Sequence, residues 1–519
     1  MEAGATPSLS KASPIRGDLL FLWMILTCVL CVPMVLVARL PFQDLPNHLA
    51  TASILHDLPA YPEFKFNGWF TTNRLLFAWL YLLGPRMGIV WASKVLLALV
   101  IGLGSFAYLR FVRAYVPKVD LRFAAACLPP VVHNFFVSMG MLEFAFSVAL
   151  VTLMLSKMVE AGPRWPLLLL SLVAWYAHVF PLLVLGLLVL IDMALRRARN
   201  ARQDLPLLLA LLPGGLLSAW SLVAHWLEPK RETIPNYFPP LWDAFYNLWA
   251  DWFFGFTKWS LFSFALALYL ALRLLRHRQA ERAYFSNWAV GVLFALYLAA
   301  PSIVSNWFHV NSRFIPFLCL AALARLPETV PRSLYRVMVA GSATYCASLA
   351  VDYVRIDREV SEVTAGIDVV PERARLLPLV FDRKGISENT RPLLHAWGYY
   401  VVEKKTTAPL LFAHSASFPL MYKEVPSPRF TGIHLGTFSR SLATSSGVCE
   451  DLLAHGVVED CQETFRHHWR TYWEAMEPKY DWVTTWGASQ EVRELIPKVF
   501  RPVFTKGRLT VWKKESATL

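Results

Sequence analysis

A few side chains in this sequence combine a reactive type with an apolar setting. The stretch "PFQDLPNHLATASIL", residues 41–55, follows the first apolar run and sets Asp44 four residues before His48. With that spacing both could face one substrate group or cation: a carboxylate accepts a proton from an incoming hydroxyl, and an imidazole orients substrate or binds a metal. The structural alternative for Asp44 is a helix N-cap, because an acid before Pro-Asn suits a helix start. Glu143, in "HNFFVSMGMLEFAF", has His133 and Asn134 upstream and apolar sequence on both sides, a setting that calls for a buried polar partner. His178 interrupts the apolar stretch "WYAHVFPLL", where a lone histidine is more often a satisfied structural residue. Together Asp44, Glu143 and His178 offer oxygen and nitrogen ligands that suit Mg²⁺ or Mn²⁺, although no spacing rule joins them. Two cations complete the set. Arg313, in "SNWFHVNSRFIPFL", can fork onto phosphate oxygens, and Lys94, inside an apolar run, can act as a point charge; the alternative for each is an anchor that snorkels to the membrane surface.

The elements that must hold these residues are transmembrane helices. A chain of 519 residues with 56% hydrophobic content and mean hydropathy +0.42 is too apolar for a soluble domain and too long for one anchor. Its net charge of +13 lies in loops between apolar runs, where basic residues fix topology, so nucleic acid is not an expected partner. Apolar runs near 18–38, 88–109, 123–138, 141–157, 206–227, 259–272, 288–305, 313–324 and 334–351 read as spans. The long run between Arg164 and Arg196 has basic residues at both ends, which a single crossing would place on opposite sides. Two short helices meeting near His178 and Pro181 resolve this and give about eleven spans. The N-terminal tail, 1–17, is then cytoplasmic, the first span is uncleaved, and Asp44, Glu143, His178, His309 and Arg313 share the outer side.

The first outer loop, 39–87, contains "RLLFAWLYLLG", too short to span and expected to lie in the interface; the aromatic segment "NYFPPLWDAFYNLWADWFFGF" reads the same way or as a lid. The membrane domain covers 18–353. Beyond it hydropathy falls, and 354–519 reads as an extracytoplasmic α/β domain, with strands at "RLLPLVFD", "YDWVTTWG" and "RPVFTKGRLTVWKK", the last a hairpin through Lys-Gly, and a helix over "RPLLHAWGYYVVEKK". In an exported domain Cys449 and Cys461 are candidates for a disulfide. The Leu, Ala and Arg-rich composition points to a bacterial inner membrane.

In layout over residues 18–351, and in "QDLPNHL", the chain resembles the integral-membrane GT-C glycosyltransferases, the superfamily of oligosaccharyltransferases, protein O-mannosyltransferases and aminoarabinose transferases. The resemblance implies transfer of a sugar from a polyprenyl-phosphate carrier to a glycan, lipid or protein acceptor at the extracytoplasmic face, with inversion. It makes Asp44 the first-loop base or metal ligand, Glu143 the acid of a later loop, and Arg313 the cation that neutralises the leaving phosphate. Asp44 is followed by Leu45, so the paired acids of several GT-C families are missing, and His48 stands in their place. Two other classes fit less of the sequence. A flippase or transporter for lipid-linked sugars would carry its polar groups near the midplane on interrupted, repeated helices, and a noncatalytic scaffold leaves Asp44 with His48 unexplained.

Overall fold

A computed structural model describes residues 17–160, 162–195, 201–227, 236–253, 255–256, 261–276, 283–304, 307–413, 417–424, 469–470 and 473–515. Cys449, Cys461 and the basic residues Arg196, Arg197 and Arg199 lie outside them. In chain order the helices are α1 (Gly17–Val35), α2 (Leu45–His56), α3 (Leu75–Met87), α4 (Ile89–Tyr115), α5 (Leu121–Cys127), α6 (Pro129–Val132), α7 (Phe135–Met139), α8 (Leu142–Val159) and α9 (Trp165–Ala177). They continue with α10 (Val179–Leu195), α11 (Ala201–Leu227), α12 (Leu241–Phe253), α13 (Leu261–Arg276), α14 (Asn287–Ala299), α15 (Ile315–Leu323), α16 (Arg332–Val363), α17 (Gly398–Lys404) and α18 (Gln490–Glu494). The strands are β1 (Phe64–Phe66), β2 (Ile303–Val304), β3 (Trp307–Phe308), β4 (Leu376–Val380), β5 (Leu420–Tyr422), β6 (Trp482–Trp486), β7 (Phe500–Lys506) and β8 (Leu509–Lys514). The chain divides into two compact units: one of residues 1–36, 69–76 and 93–352, the other of 37–68, 77–92 and 353–519.

In the first unit α1, α4, α8, the 205–224 stretch of α11 and the helix from Arg332 are long and apolar enough to cross a membrane, and several shorter apolar helices accompany them. The run between Arg164 and Arg196 divides as the basic residues require, into α9 and α10 with His178 extended between them (φ −164°, ψ 124°). Pro181 explains the break, because in a continuous helix its ring would strike the carbonyl of residue 177. The carbonyls freed at the end of α9 find partners elsewhere in the unit: the Ser147 hydroxyl of α8 reaches those of Ala174 (3.1 Å) and His178 (2.9 Å), and Thr72 Oγ1 donates to that of Trp175 (2.8 Å).

Three expected helices differ. The run 123–138 is not one helix but α5, α6 and α7, because Pro129 and Pro130 interrupt the ladder and Asn134 starts a new helix, its Oδ1 accepting from the backbone N–H of Phe136 and Val137. Gly140, at φ +90°, then ends α7 and turns the chain into α8. The run 288–305 stops at Ala299 ahead of Pro301, and the chain turns back through the β2–β3 hairpin. The helix expected over 391–405 is reduced to α17.

The second unit has a mixed sheet of order β4-β6-β8-β7, with β4 and β6 parallel and the other neighbours antiparallel. Gly507, at φ +55°, turns β7 into β8 at the expected Lys-Gly position. Leu377, Leu379, Val483, Phe500 and Trp512 of the sheet pack with Trp469 and Trp473 into one core. Sequence placed 39–87 with the membrane helices, whereas 37–68 and 77–92 group with the C-terminal residues: β1 pairs with β5, and α2 packs on α17 so closely that a Cβ on Gly398 would lie 2.3 Å from the Pro46 carbonyl oxygen.

Candidate functional site

Arg313 in the first unit sits on a 3-10 turn, Asn311–Phe314, that follows β3 and leads into α15. It is only 5% exposed. The guanidinium lies over the rings of Trp307 (5.2 Å) and Phe144 (5.8 Å), and its Nη2 donates to the Phe308 carbonyl at 3.4 Å. Its Nη1 is 3.0 Å from His178 Nε2, and its Nε is buried with no partner among the described residues. The other ring nitrogen of His178, Nδ1, faces the backbone N–H of Phe180 at 3.2 Å. A neutral imidazole has one N–H and one lone pair, so it cannot accept from both donors. When Nδ1 accepts from Phe180, Nε2 carries the proton and meets Arg313 donor to donor. In the other tautomer Nε2 accepts from Arg313 and the Phe180 N–H is the donor left over, so either way the group has one donor more than it has acceptors, and no carboxylate pairs with Arg313 among the described residues. The pocket chemistry suits an anion.

Glu143 opens α8 and is buried, not solvated. It interacts electrostatically with Arg74, whose side chain is fully buried. Residues 72–74 strap onto the end of α9, where the Arg74 N–H donates to the Tyr176 carbonyl at 3.1 Å and Asn73 takes φ +58°. The strap therefore fixes both the helix end that presents His178 and the cation facing Glu143. Lys94, on α4 of the same unit, is buried as well.

On the same turn as Arg313, His309 Nδ1 lies 3.2 Å from Asp251 Oδ2 of α12, and Ser312 Oγ donates to that same oxygen. Asp251 is 4% exposed; the His309 side chain is about a third exposed, adopts φ +55° and packs edge-on against Phe135 at 5.0 Å.

In the second unit Asp44 stands at the N-cap of α2, yet its side chain makes no capping bond. Gln43 Nε2 donates to Asp44 Oδ1 at 3.2 Å, and His395 Nε2 lies 3.8 Å from it. Arg391, whose N–H donates to Gln43 Oε1 at 2.8 Å, adds a nearby positive charge. Asn47 Nδ2 lies 3.4 Å from His395 Nδ1 and donates there, so the proton of the neutral ring is on Nε2, facing Asp44. Burial first, and the neighbouring His48 second, push His395 down to about 3 and keep it neutral. His48 does not join Asp44. Its ring sits among Phe77, Phe412 and Phe418, its Nδ1 is buried without a partner, and burial pushes it down to about 3.

The structure thus joins His178 with Arg313, places Glu143 with Arg74, and separates Asp44 from His48. The set expected to hold Mg²⁺ or Mn²⁺ is surrounded by positive or donor groups: Arg313 on His178, Arg74 by Glu143, Arg391 and the His395 N–H by Asp44. Those neighbours disfavour a divalent cation at these atoms, and no group of three or more His, Cys, Asp or Glu forms a metal-ligating cluster among the described residues. Sequence reading missed Arg74, Asp251, Ser312, Arg391 and His395. Of these only Asp251 carried a signal, as an acid within the aromatic run "LWADWFF".

Five helices among the described residues are long and apolar enough to cross a membrane, as in an integral membrane protein. The crystal structure of ArnT from Cupriavidus metallidurans bound to undecaprenyl phosphate is similar over 96% of this chain and 98% of that one, with a TM-score of 0.52 and 11% sequence identity. No family model and no curated protein matches the chain.

Proposed function

We propose that this protein is a membrane glycosyltransferase that takes a sugar from a polyprenyl-phosphate donor and passes it to a hydroxyl-bearing acceptor at the extracytoplasmic face. The observation that carries the reading is the acceptor-deficient pair of Arg313 and His178, a buried guanidinium and imidazole facing each other without a carboxylate. A phosphate diester oxygen supplies the missing acceptor. As the bond from the anomeric carbon to that phosphate breaks, negative charge grows on oxygen and Arg313 stabilises it more strongly than in the ground state. The acceptor hydroxyl yields its proton to a base as its oxygen attacks, the role the sequence suggests for Asp44, and attack opposite the departing phosphate inverts the anomeric centre. Trp307 and Phe144, against the guanidinium, wall the donor side. The similar fold of an undecaprenyl-phosphate-bound protein supports a carrier of that class.

The test uses the full chain in nanodiscs with a panel of undecaprenyl-phosphate-linked pentoses, hexoses and amino sugars, and bacterial membrane extract as acceptor. Release of undecaprenyl phosphate is measured alongside thermal unfolding. Asp44→Asn is expected to lose roughly 10²- to 10⁴-fold in release with the lipid still bound and the chain still folded. Lipid binding without release by the wild type, as in a transporter or scaffold, or full release by Asp44→Asn, defeats the proposal.

A further inference from the structure

We propose that His309, held by Asp251, is the proton donor to the departing phosphate, an inference that rests on the glycosyl-transfer reading above. The geometry is that of an oriented imidazole. Asp251 Oδ2 lies 3.2 Å from Nδ1, which fixes the proton on Nδ1 and leaves Nε2 as the working atom of a ring about one third exposed. The carboxylate is itself held: Ser312 Oγ donates to it, and Asp251 is buried on α12. His309 also adopts φ +55°, a left-handed conformation uncommon for residues other than glycine and one that clusters at functional sites.

Its position matches the role. His309 and Arg313 belong to one short segment, and the Arg313 Nη2–H is bonded to the carbonyl of Phe308, the residue before His309. A continuous aromatic wall joins the two: His309 on Phe135, Phe135 on Phe136, Phe136 on Phe144, and Phe144 under the guanidinium. The step balances as follows. The bond between the anomeric carbon and the phosphate oxygen breaks with its electron pair going to oxygen, and that phosphate accepts the Nε2 proton of the His309 imidazolium. The acceptor oxygen bonds the anomeric carbon and yields its proton to the reaction's base. His309 is reloaded from water. The phosphate monoester produced has its second pKa near 6, within reach of an imidazolium.

Release and binding of undecaprenyl phosphate are measured for the wild type, His309→Asn, Asp251→Asn and Arg313→Leu. Asparagine is chosen at 309 because it tolerates positive φ. His309→Asn should lose roughly 10²- to 10⁴-fold in release with undecaprenyl phosphate still bound, and added imidazole should restore part of that loss; Asp251→Asn should lose release in the same direction with binding kept. Release by His309→Asn within a few-fold of the wild type, or a loss that imidazole leaves untouched, overturns the role of His309. The transfer reading is judged separately: it stands if the wild type releases the lipid and Arg313→Leu loses its binding, whatever the dyad variants do, and it falls if the wild type neither binds nor releases it.

Discussion

Replacing Arg313 by leucine should weaken lipid-phosphate binding and leave the fold as stable as before or more so, two effects of opposite sign that a structural arginine would not give. The native guanidinium makes one bond at 3.4 Å to a carbonyl and one 3.0 Å approach to an imidazole nitrogen, and its Nε has no partner. Those contacts return about 1–3 kcal/mol together, and stacking on Trp307 and Phe144 about 1 more. Against them stands the cost of keeping a charge out of water, several kcal/mol even after relaxation. Leucine fits between the same rings without that cost, so the folded state loses nothing net. Two charge-assisted bonds to a phosphate, at about 1–2 kcal/mol net each in a partly hydrated site, are lost outright, which converts to roughly 30- to 1,000-fold in affinity. Radiolabelled undecaprenyl phosphate binding to the protein in nanodiscs gives the first quantity and a thermal unfolding scan the second. Unchanged binding with a large fall in unfolding temperature would show Arg313 to be a structural prop.

Gly398→Ala should destabilise the second unit by about 1–3 kcal/mol, seen as a lower unfolding temperature, because the new Cβ would meet the backbone of Pro46 and helix backbone cannot step aside as a side chain can; an unchanged temperature contradicts the close approach of α2 and α17. Acidification should destabilise that unit. His48 and His395 sit near 3 when folded and near 6.5 when unfolded, so below pH 6.5 the unfolded chain takes up protons that the native one refuses; the stability present above that pH drains away toward pH 3 at about 1.4 kcal/mol per unit for each ring. His48→Phe should remove about half of that slope, and an equal acid sensitivity in the variant refutes the assignment. A cysteine at Glu388, an exposed position, should react with a membrane-impermeant maleimide in intact cells once the native cysteines are replaced; protection there would place the second unit on the cytoplasmic side.

What the sequence disclosed and what it withheld follow the range of the forces involved. The α9–α10 break could be read because charge at both ends of the run and Pro181 within it act locally. The β7–β8 hairpin could be read because its turn is two residues long. The division of 123–138 was written in Pro129, Pro130 and Asn134, but overall hydropathy outweighed them in the reading. The partners of Asp44 were beyond any local rule: Asn47 and His395 meet across 348 residues, and only the packing of α2 on α17 brings them together. Pairing Asp44 with His48 failed for a related reason. Four residues bring side chains together only when both belong to the helix, and Asp44 precedes it, turned toward Gln43 and His395, while the ring of His48 is drawn into an aromatic core.

The two charged centres differ in a way that bears on their roles. Asp44 has donors and positive charge around it, with an amide N–H of Gln43, the N–H face of a neutral histidine and the nearby charge of Arg391. Arg313 has an imidazole nitrogen and a carbonyl beside it but no carboxylate among the described residues, and its Nε is buried without a partner there. Selection for stability alone would remove that deficit cheaply, since a hydrophobic residue there costs the fold nothing and a nearby carboxylate would satisfy it. Either change would also remove a buried cation that an incoming anion could bond. A guanidinium kept buried without a carboxylate among the described residues is therefore a stronger pointer to a phosphate than the identity of the arginine alone.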